Sequence, residues 1–171
     1  MKRPDNIIGI DPDVTKSGCA LIKTSSKQIE VAALSLSKLL FYLQNIRNQC
    51  RERKESLVVV VEASWTNSHN HHIEKGSKEK ASIVSKIGYN VGCNHQRGRD
   101  ICELAKAIGL DVVEKTPLRK HWKGKDRKIT HEELSYFAGI PNRTNQEQRD
   151  AVLLAWHYAG FPIKQTNDKK K

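Results

Sequence analysis

Hydrophobic residues fall along the chain in blocks whose length and spacing predict five strands. The segment 57–62 (LVVVVE) is almost entirely β-branched and follows a helix-like segment, which is typical of a central parallel strand covered on both faces. The first three strand-like segments are separated only by short turn-like spacers, which favours antiparallel hairpins. The strands are predicted over residues 6–11, 18–23, 28–34, 57–62 and 110–114.

Between and after these strands, apolar residues recur at three- and four-residue spacing, which predicts helices. Residues 63–77 are expected to be irregular and exposed, and the stretch from Gly92 to Gly98 is a candidate interruption of the long second helix. A turn is expected at 139–143, and Gly160 with Pro162 should end the last helix. The helices are predicted from Ser35 or Ser37 to about Arg53, and over about 78–108, 130–138 and 146–159.

This order of elements predicts an α/β fold. Three antiparallel strands, extended by two parallel strands through right-handed helical crossovers, make a five-stranded mixed sheet flanked by helices. No internal repeat or low-complexity linker marks a second domain. Residues 1–163 are therefore expected to form a single domain, followed by a basic, disordered tail at 164–171.

The composition and the net charge favour one class of binding partner. Of the 171 residues 37% are hydrophobic and 29% charged, as expected of a globular protein with a polar surface. No apolar run approaches the ~20 residues that span a bilayer, and no secretory signal is evident, so a cytoplasmic protein is expected. The 30 Lys and Arg exceed the 19 Asp and Glu, giving a net charge of +11 that favours a polyanion such as DNA. Residues 119–128 (RKHWKGKDRK) concentrate this charge, although a solvated loop would look the same.

The cysteines and the histidine-rich segment suggest no strong metal site. The cysteines lack a CxxC pair, so free buried thiols are expected rather than disulfides. A zinc site of Cys93 and His95 with a histidine near residue 70 is the alternative, but structural zinc sites usually have tighter paired spacings. The histidines near residue 70 are expected to be exposed loop residues. The cysteines are Cys19, Cys50, Cys93 and Cys102, and these histidines are His69, His71 and His72.

Two acids close the predicted first and fourth strands. If these strands are adjacent and parallel, Asp11 and Glu62 lie at the same sheet edge, where the sites of open α/β sheets form. Each has an ordinary alternative, because Asp before Pro12 is a common turn former and Glu62 could simply emerge into water. Carboxylates brought together repel one another, so a cation is needed between them. Mg²⁺ fits, because it takes few carboxylates plus phosphate oxygens and waters.

The last helix offers two further acids. Asn145 is a plausible N-cap, with Gln148 completing a capping-box variant. Glu147 and Asp150 are three residues apart and therefore share one helix face. Acids in a first turn also complement the helix dipole, which is the alternative explanation. The apolar residues 151–156 indicate that the helix packs on the sheet and so directs both acids towards the same site.

In this order, these segments resemble the RuvC-type Holliday-junction resolvases of the ribonuclease H-like superfamily. GIDPDVTKSG at 9–18 is similar to the family's first-strand motif, and VVVVEASW at 58–65 to the strand that ends in the catalytic Glu. Gly88 with Gly92 resembles a glycine-spaced helix, and QEQRDAVLLAWHY at 146–158 resembles the terminal acidic helix. The resemblance covers residues 6–160, and the ordered set is more specific than any single motif.

The resemblance implies that Asp11, Glu62, Glu147 and Asp150 are catalytic and hold two Mg²⁺ ions, with Mn²⁺ as a substitute. One ion would lower the pKa of the attacking water and the other would stabilise the leaving 3′ oxygen. The resemblance also implies a homodimer that leaves 5′-phosphates by paired nicks across a four-way DNA junction. Two positions depart from the family, since Glu147 replaces the usual Asp and Asp13 replaces a Gly at a turn where Asp tolerates positive φ.

DNA contacts follow from the same resemblance. Trp65 stands where the family has an aromatic that stacks on a junction base, with partial burial against a neighbouring helix as the alternative. The basic segment with Trp122 matches the family's lysine-bearing loop, and Lys128 is favoured over its neighbours as the lysine at the scissile phosphate. The expected contacts are Trp65, Arg119, Lys120, Lys123, Lys125, Arg127 and Lys128.

Two other functions stay open at this point. A ribonuclease H-like enzyme could cut RNA–DNA hybrids, flaps or replication forks instead of four-way junctions. A catalytically silent DNA-binding module is the third hypothesis. It is supported only by the Glu147 departure, and the presence of all four acids counts against it.

Overall fold

The computed structural model describes residues 3–66, 81–140 and 142–164. Its strands and helices match those expected from the hydrophobic pattern, with ends shifted by about a residue; the start expected for the second helix, at about residue 78, lies outside the described residues. The strands are β1 (Asn6–Asp11), β2 (Ser17–Lys23), β3 (Gln28–Leu34), β4 (Leu57–Glu62) and β5 (Asp111–Lys115). The helices are α1 (Leu36–Arg53), α2 (Ala81–Ala107), α3 (His131–Ala138) and α4 (Gln146–Tyr158).

The strands form one mixed sheet in the order β3-β2-β1-β4-β5. Strands β1, β2 and β3 pair antiparallel, whereas β4 pairs parallel to β1 and β5 parallel to β4. The predicted α/β fold, with a five-stranded mixed sheet flanked by helices, is therefore confirmed. Its two central strands, β1 and β4, are also the two that end in the candidate acids.

Alternating side chains of β1 supply the core on both faces of the sheet, as the two-residue period of a strand requires. Ile8 and Ile10 are fully buried against α1 and α2, whereas Ile7 is fully buried in the cluster under α4. A third cluster joins α3 and α4 to the segment before them, and it includes Trp122. Helices therefore cover both faces of the sheet, and Asp11 and Glu62 at the carboxyl ends of the central strands stay partly exposed.

Helix α4 lies directly on β1 and β2 because glycines face it. A Cβ atom added to Gly9 would lie 2.2 Å from the Ala151 carbonyl oxygen, and one added to Gly18 would lie 2.0 Å from the Glu147 carbonyl oxygen. Both are backbone atoms, so a side-chain rotation could not relieve the clash. The two glycines therefore set how closely the first turns of α4 approach the sheet edge.

The structure differs from two expectations about the chain after β4. Helix α2 runs without a break through Gly92 and Gly98, so the interruption expected there does not occur. Ala63, expected in an exposed segment, is fully buried, and Ser64–Thr66 form a short 3-10 turn. The remainder of that segment, with His69, His71 and His72, lies outside the described residues, as does the tail from residue 165 onwards.

The cysteines and the helix caps largely follow the sequence. All four cysteines are free of disulfides, but only three are buried, because Cys93 is half-exposed on α2. Ser35 occupies the N-cap of α1 without making a side-chain capping bond. In the part of the chain that the structure describes, every helix is too short or too polar to cross a bilayer.

The glycine contacts can be tested by adding single methyl groups. Gly18→Ala is expected to lower the free energy of unfolding by about 1–3 kcal/mol or more, because the added Cβ meets helix backbone. Gly92→Ala is the matched control: a Cβ there has open space, and Ala favours a helix over Gly by up to about 1 kcal/mol. Urea unfolding of both variants is the measurement. Equal stability of the two would contradict the close approach of α4.

Candidate functional site

The strand register brings the two strand-end acids side by side. Ile10 of β1 is the partner of Val61 in the parallel strand β4, so Asp11 and Glu62 follow at neighbouring positions of the same edge. Asp11 also pairs with Gly18 across β2, and Glu62 pairs with Lys115 across β5. Both acids are half-buried, and each is paired with a residue of one neighbouring strand. The expectation that they meet at the carboxyl edge is confirmed.

Helix α4 delivers the other acids to this edge. The predicted capping box is present: the Asn145 side chain accepts a hydrogen bond from the Gln148 N–H at 2.8 Å, and the Gln148 side chain accepts one from the Asn145 N–H at 2.9 Å. The cap fixes where the helix starts and hence which residues occupy its first turns. In the second turn, the Gln146 side-chain amide donates to the Asp150 carboxylate at 2.8 Å.

Three of the acids are electrostatically coupled. Burial raises the pKa of Asp11 well above its usual value, and the charges of Glu62 and Asp150 raise it further. Burial, followed by the charge of Asp150, raises the pKa of Glu62 to about 7. Burial also raises the pKa of Asp150, although Lys128 and the Gln146 amide partly offset this effect. Raised pKa values of this kind are expected of carboxylates that lie close together where little water reaches them.

Glu147 has a smaller part in the cluster than the other three acids. It is half-buried, and its charge contributes least among the four neighbours that change the pKa of Asp11. Within residues 3–66, 81–140 and 142–164, no three Asp, Glu, His or Cys side chains are arranged as a ready-made metal site. The chemistry of the four acids nevertheless fits a hard divalent cation, because their side chains offer carboxylate oxygens as ligands and their negative charges repel one another.

The basic segment folds back on itself beside the acids. Trp122 is buried against Phe137 of α3, and its backbone N–H donates to the Arg127 carbonyl oxygen at 3.1 Å. The buried Glu133 carboxylate accepts hydrogen bonds from the N–H groups of Lys123 and Thr130 at 3.0–3.2 Å. The segment is therefore an anchored loop rather than a freely solvated one.

Two of the six basic residues that were predicted to contact DNA change the pKa values of the acids. Lys128 is half-buried, and its Nζ lies 3.7 Å from the Asp150 carboxylate. The charges of Lys120 and Lys128 both lower the pKa values of Glu62 and Asp150. The remaining predicted basic residues are exposed on the loop and are absent from the charges that act on these acids: Arg119, Lys123, Lys125 and Arg127.

The loop after Asp11 is held by hydrogen bonds rather than by an unusual backbone conformation. The turn expected at Asp13 is present, but it does not use the positive φ that Asp tolerates. Instead the Asp13 carboxylate accepts from the N–H groups of Thr15 and Lys16, at 2.8 and 3.2 Å. Helix α2 holds the loop from the other side, since the Asn94 side chain accepts from the Val14 N–H at 3.0 Å.

Trp65 lies against α2 and contacts the core. A Cβ added to Gly98 would fall 2.2 Å from the indole ring, so Gly98 provides the space that the ring occupies. The Arg99 guanidinium lies 5.8 Å from the centre of the ring. This half-buried position, packed against the core, is the alternative that the sequence left open. Only the remaining exposed part of the ring is accessible to a ligand.

Several residues that shape the site were missed from the sequence. Glu133 is signalled by Thr130 three residues earlier, a capping-box pattern. Gln146 is signalled by its four-residue spacing to Asp150. Asn94 had no readable signal, because its partner lies in the distant loop after β1. Arg149 had none because two of its three partners are backbone carbonyl oxygens, which no residue type marks in the sequence.

Comparisons with solved structures return resolvases at low similarity. Thermus thermophilus RuvC in complex with a Holliday junction substrate is 14% identical, covers 88% of this chain and 90% of its own, and has a TM-score of 0.46. A second Thermus thermophilus RuvC structure is 16% identical over 91% of this chain and 96% of its own, with a TM-score of 0.43. The Fowlpox virus resolvase in complex with Holliday junction DNA is 13% identical over 91% and 97%, with a TM-score of 0.37. No protein-family model and no curated protein sequence matches the chain.

The coupled acids predict a pH-dependent stability. The pKa of Glu62 is about 7 in the folded protein, whereas its ordinary value is 4.5. Protonated Glu62 therefore stabilises the fold fully below pH 4.5, and this contribution is lost as the pH rises through 7. In EDTA, the melting temperature of the wild type should fall over this range, and that of Glu62→Gln should fall less. At pH 8 the variant should melt several degrees higher, since 1 kcal/mol is worth about 2–4 °C in a chain of this size.

The control for this experiment is Glu103→Gln, which removes an exposed acid of α2. Calorimetry at several pH values, with and without Mg²⁺, is the measurement. Mg²⁺ should raise the melting temperature of the wild type more than that of Glu62→Gln. A variant that is less stable than wild type at pH 8 without metal would show that the acids are not under mutual repulsion.

Proposed function

We propose that this protein is a divalent-metal-dependent endonuclease that cuts four-way DNA junctions. The observation that carries the proposal is the coupled set of Asp11, Glu62 and Asp150 at an open sheet edge, next to Lys128. Acids that raise each other's pKa beside a strongly basic loop fit a site that takes both a cation and a phosphate. The choice of a junction as substrate rests on the ordered sequence motifs of the RuvC-type resolvases.

Each part of the site has a proposed role. Asp11, Glu62 and Asp150 would hold the metal, with Glu147 as a more distant or water-mediated ligand. A bound Mg²⁺ or Mn²⁺ pair supplies an acidic water and stabilises the leaving oxygen. Since the described side chains are not arranged as a ready-made site, binding requires them to move closer together. Lys128 would then exchange part of its contact with Asp150 for a phosphate oxygen.

The proposal extends to the way in which DNA is held. The exposed cations of the basic loop, Arg119, Lys123, Lys125 and Arg127, would contact backbone phosphates and supply affinity. The exposed part of Trp65 would contact an unstacked base next to the cut. A homodimer would present two such sites to the two opposing strands of a junction. Paired nicks would follow from that symmetry, and 5′-phosphate ends would follow from the departure of the 3′ oxygen at each cut.

Substitution of one acid tests the activity. Asp11→Asn is expected to bind a synthetic four-way junction as tightly as the wild type but to cut it at least about 100-fold more slowly in Mg²⁺, because the metal supplies several kcal/mol of the barrier reduction. Asp111→Asn is the control, since Asp111 begins β5 and therefore lies at the opposite, amino-terminal edge of the sheet. Single-turnover cleavage and a binding assay in Ca²⁺ are the measurements.

The same assay separates the alternatives. An RNA–DNA hybrid, a flap, a fork and a linear duplex are tested beside the junction. Faster cleavage of any of these would replace the proposed substrate. Cutting by Asp11→Asn at the wild-type rate would remove Asp11 from the site, and binding without any cleavage by the wild type would favour a silent DNA-binding module.

The basic loop allows a test that separates chemistry from affinity. Lys128→Met is expected to slow cleavage by about 10–100-fold with little change in junction affinity, because its ammonium lies at the acids. Lys125→Met should instead weaken binding, and the slope of log affinity against log salt concentration should fall by the contribution of about one phosphate contact. Binding over a series of NaCl concentrations and single-turnover rates are measured for both. Identical behaviour of the two variants would contradict the distinct position of Lys128.

A further inference from the structure

Arg149 lies between the two metal-ligand candidates of α4 and makes three hydrogen bonds, none of them to an acid. Its Nε donates to the Ile129 carbonyl oxygen at 3.0 Å, and one terminal nitrogen donates to the Gln146 side-chain oxygen at 2.8 Å. The other terminal nitrogen donates to the Thr144 carbonyl oxygen. A planar guanidinium fixes the relative positions of all three acceptors, which a lysine ammonium does not.

These bonds belong to a closed ring of contacts. Gln146, held by Arg149 through its oxygen, donates through its nitrogen to Asp150 at 2.8 Å. Asp150 lies 3.7 Å from the ammonium of Lys128. Lys128 is joined by a peptide bond to Ile129, whose carbonyl oxygen receives Arg149 again. Arg149 therefore orients the carboxylate of Asp150 through Gln146 and holds the backbone that carries Lys128.

We propose that Arg149 is a positioning residue: its guanidinium sets where the Lys128 ammonium lies relative to the Asp150 carboxylate. This inference rests on the proposed nuclease function for its consequence but not for its geometry. The end of the basic loop is tied to α4 by these bonds and by Ile129, whose buried side chain packs with Ala151 and Val152 in the third cluster. Glu133 holds the loop at Lys123 and Thr130, on the side of α3. Apolar packing has no preferred direction, so among the described contacts the bonds of Arg149 are the ones that orient Lys128 relative to Asp150, apart from their own contact of 3.7 Å.

A rival explanation is that Arg149 acts through charge alone, because its positive charge also acts on Asp150. Two substitutions separate these explanations. Arg149→Met removes both the charge and the three bonds, whereas Arg149→Lys keeps the charge and loses the planar fork. Arg143→Met, in the exposed loop before α4, is the control for the loss of one positive charge.

Hydrogen exchange of the segment 119–130, followed by mass spectrometry, tests the tie without any substrate or metal. The amides of Gly124, Arg127 and Lys128 are hydrogen-bonded inside this loop and report its opening. Exchange should be about 10-fold faster in both Arg149 variants and unchanged in Arg143→Met. Unchanged exchange in Arg149→Met would overturn the inference. Thermal melting of each variant confirms that it is folded.

Cleavage then tests the consequence. Both Arg149 variants should cut the four-way junction about 10–100-fold more slowly in single turnover, with an unchanged dissociation constant in Ca²⁺. Full recovery of the cleavage rate by Arg149→Lys would show that the positive charge suffices and would overturn the positioning role. Faster hydrogen exchange without slower cleavage would overturn it as well. If the wild type cuts no junction, the proposed function is wrong, and the exchange measurement alone decides whether Arg149 holds the loop.

Discussion

The backbone-to-backbone contact between α4 and the sheet is the constraint on which the site depends. Gly9 and Gly18 let the helix approach β1 and β2 to a distance that any side chain would prevent. The first turn of α4 then lies over the end of β1, where the chain also places Asp11. Since the capping box fixes the start of the helix at Asn145, the acids of its first turns have little freedom to lie elsewhere.

Gathering acids in this way has an electrostatic cost that the fold must offset. Burial raises the pKa values of Asp11, Glu62 and Asp150, and the charges of neighbouring acids raise those of Asp11 and Glu62 further, so their ionised forms oppose folding near neutral pH. Lys128 and Lys120 reduce this cost only in part, because the pKa values stay raised in spite of their charges. Such tension is characteristic of sites kept for chemistry rather than for stability.

The parts of the structure that depend on local pattern were predictable from the sequence. The β-branched segment ending in Glu62, the short strand ending in Asp11 and the capping box before Glu147 each have a periodicity or spacing of their own, and the parallel pairing of β1 with β4 follows from the crossover rule. The position of Trp65 was not predictable, because it depends on the space left by Gly98, some thirty residues away. Arg149 was missed because two of its three hydrogen-bond partners are backbone carbonyl oxygens, which no residue type marks in the sequence.

The two halves of the site are therefore held with different rigidity. Asp11 and Glu62 take their places from the register of paired strands, in which Asp11 pairs with Gly18 of β2 and Glu62 with Lys115 of β5. Asp150 and Lys128 depend on side-chain hydrogen bonds between a helix and a loop, and their own contact is long at 3.7 Å. A cation or phosphate that enters would displace side-chain contacts before it displaced strand pairing, because the latter costs many more bonds. The helix-and-loop half is thus the part that can adapt to a ligand, while the sheet edge provides the fixed reference.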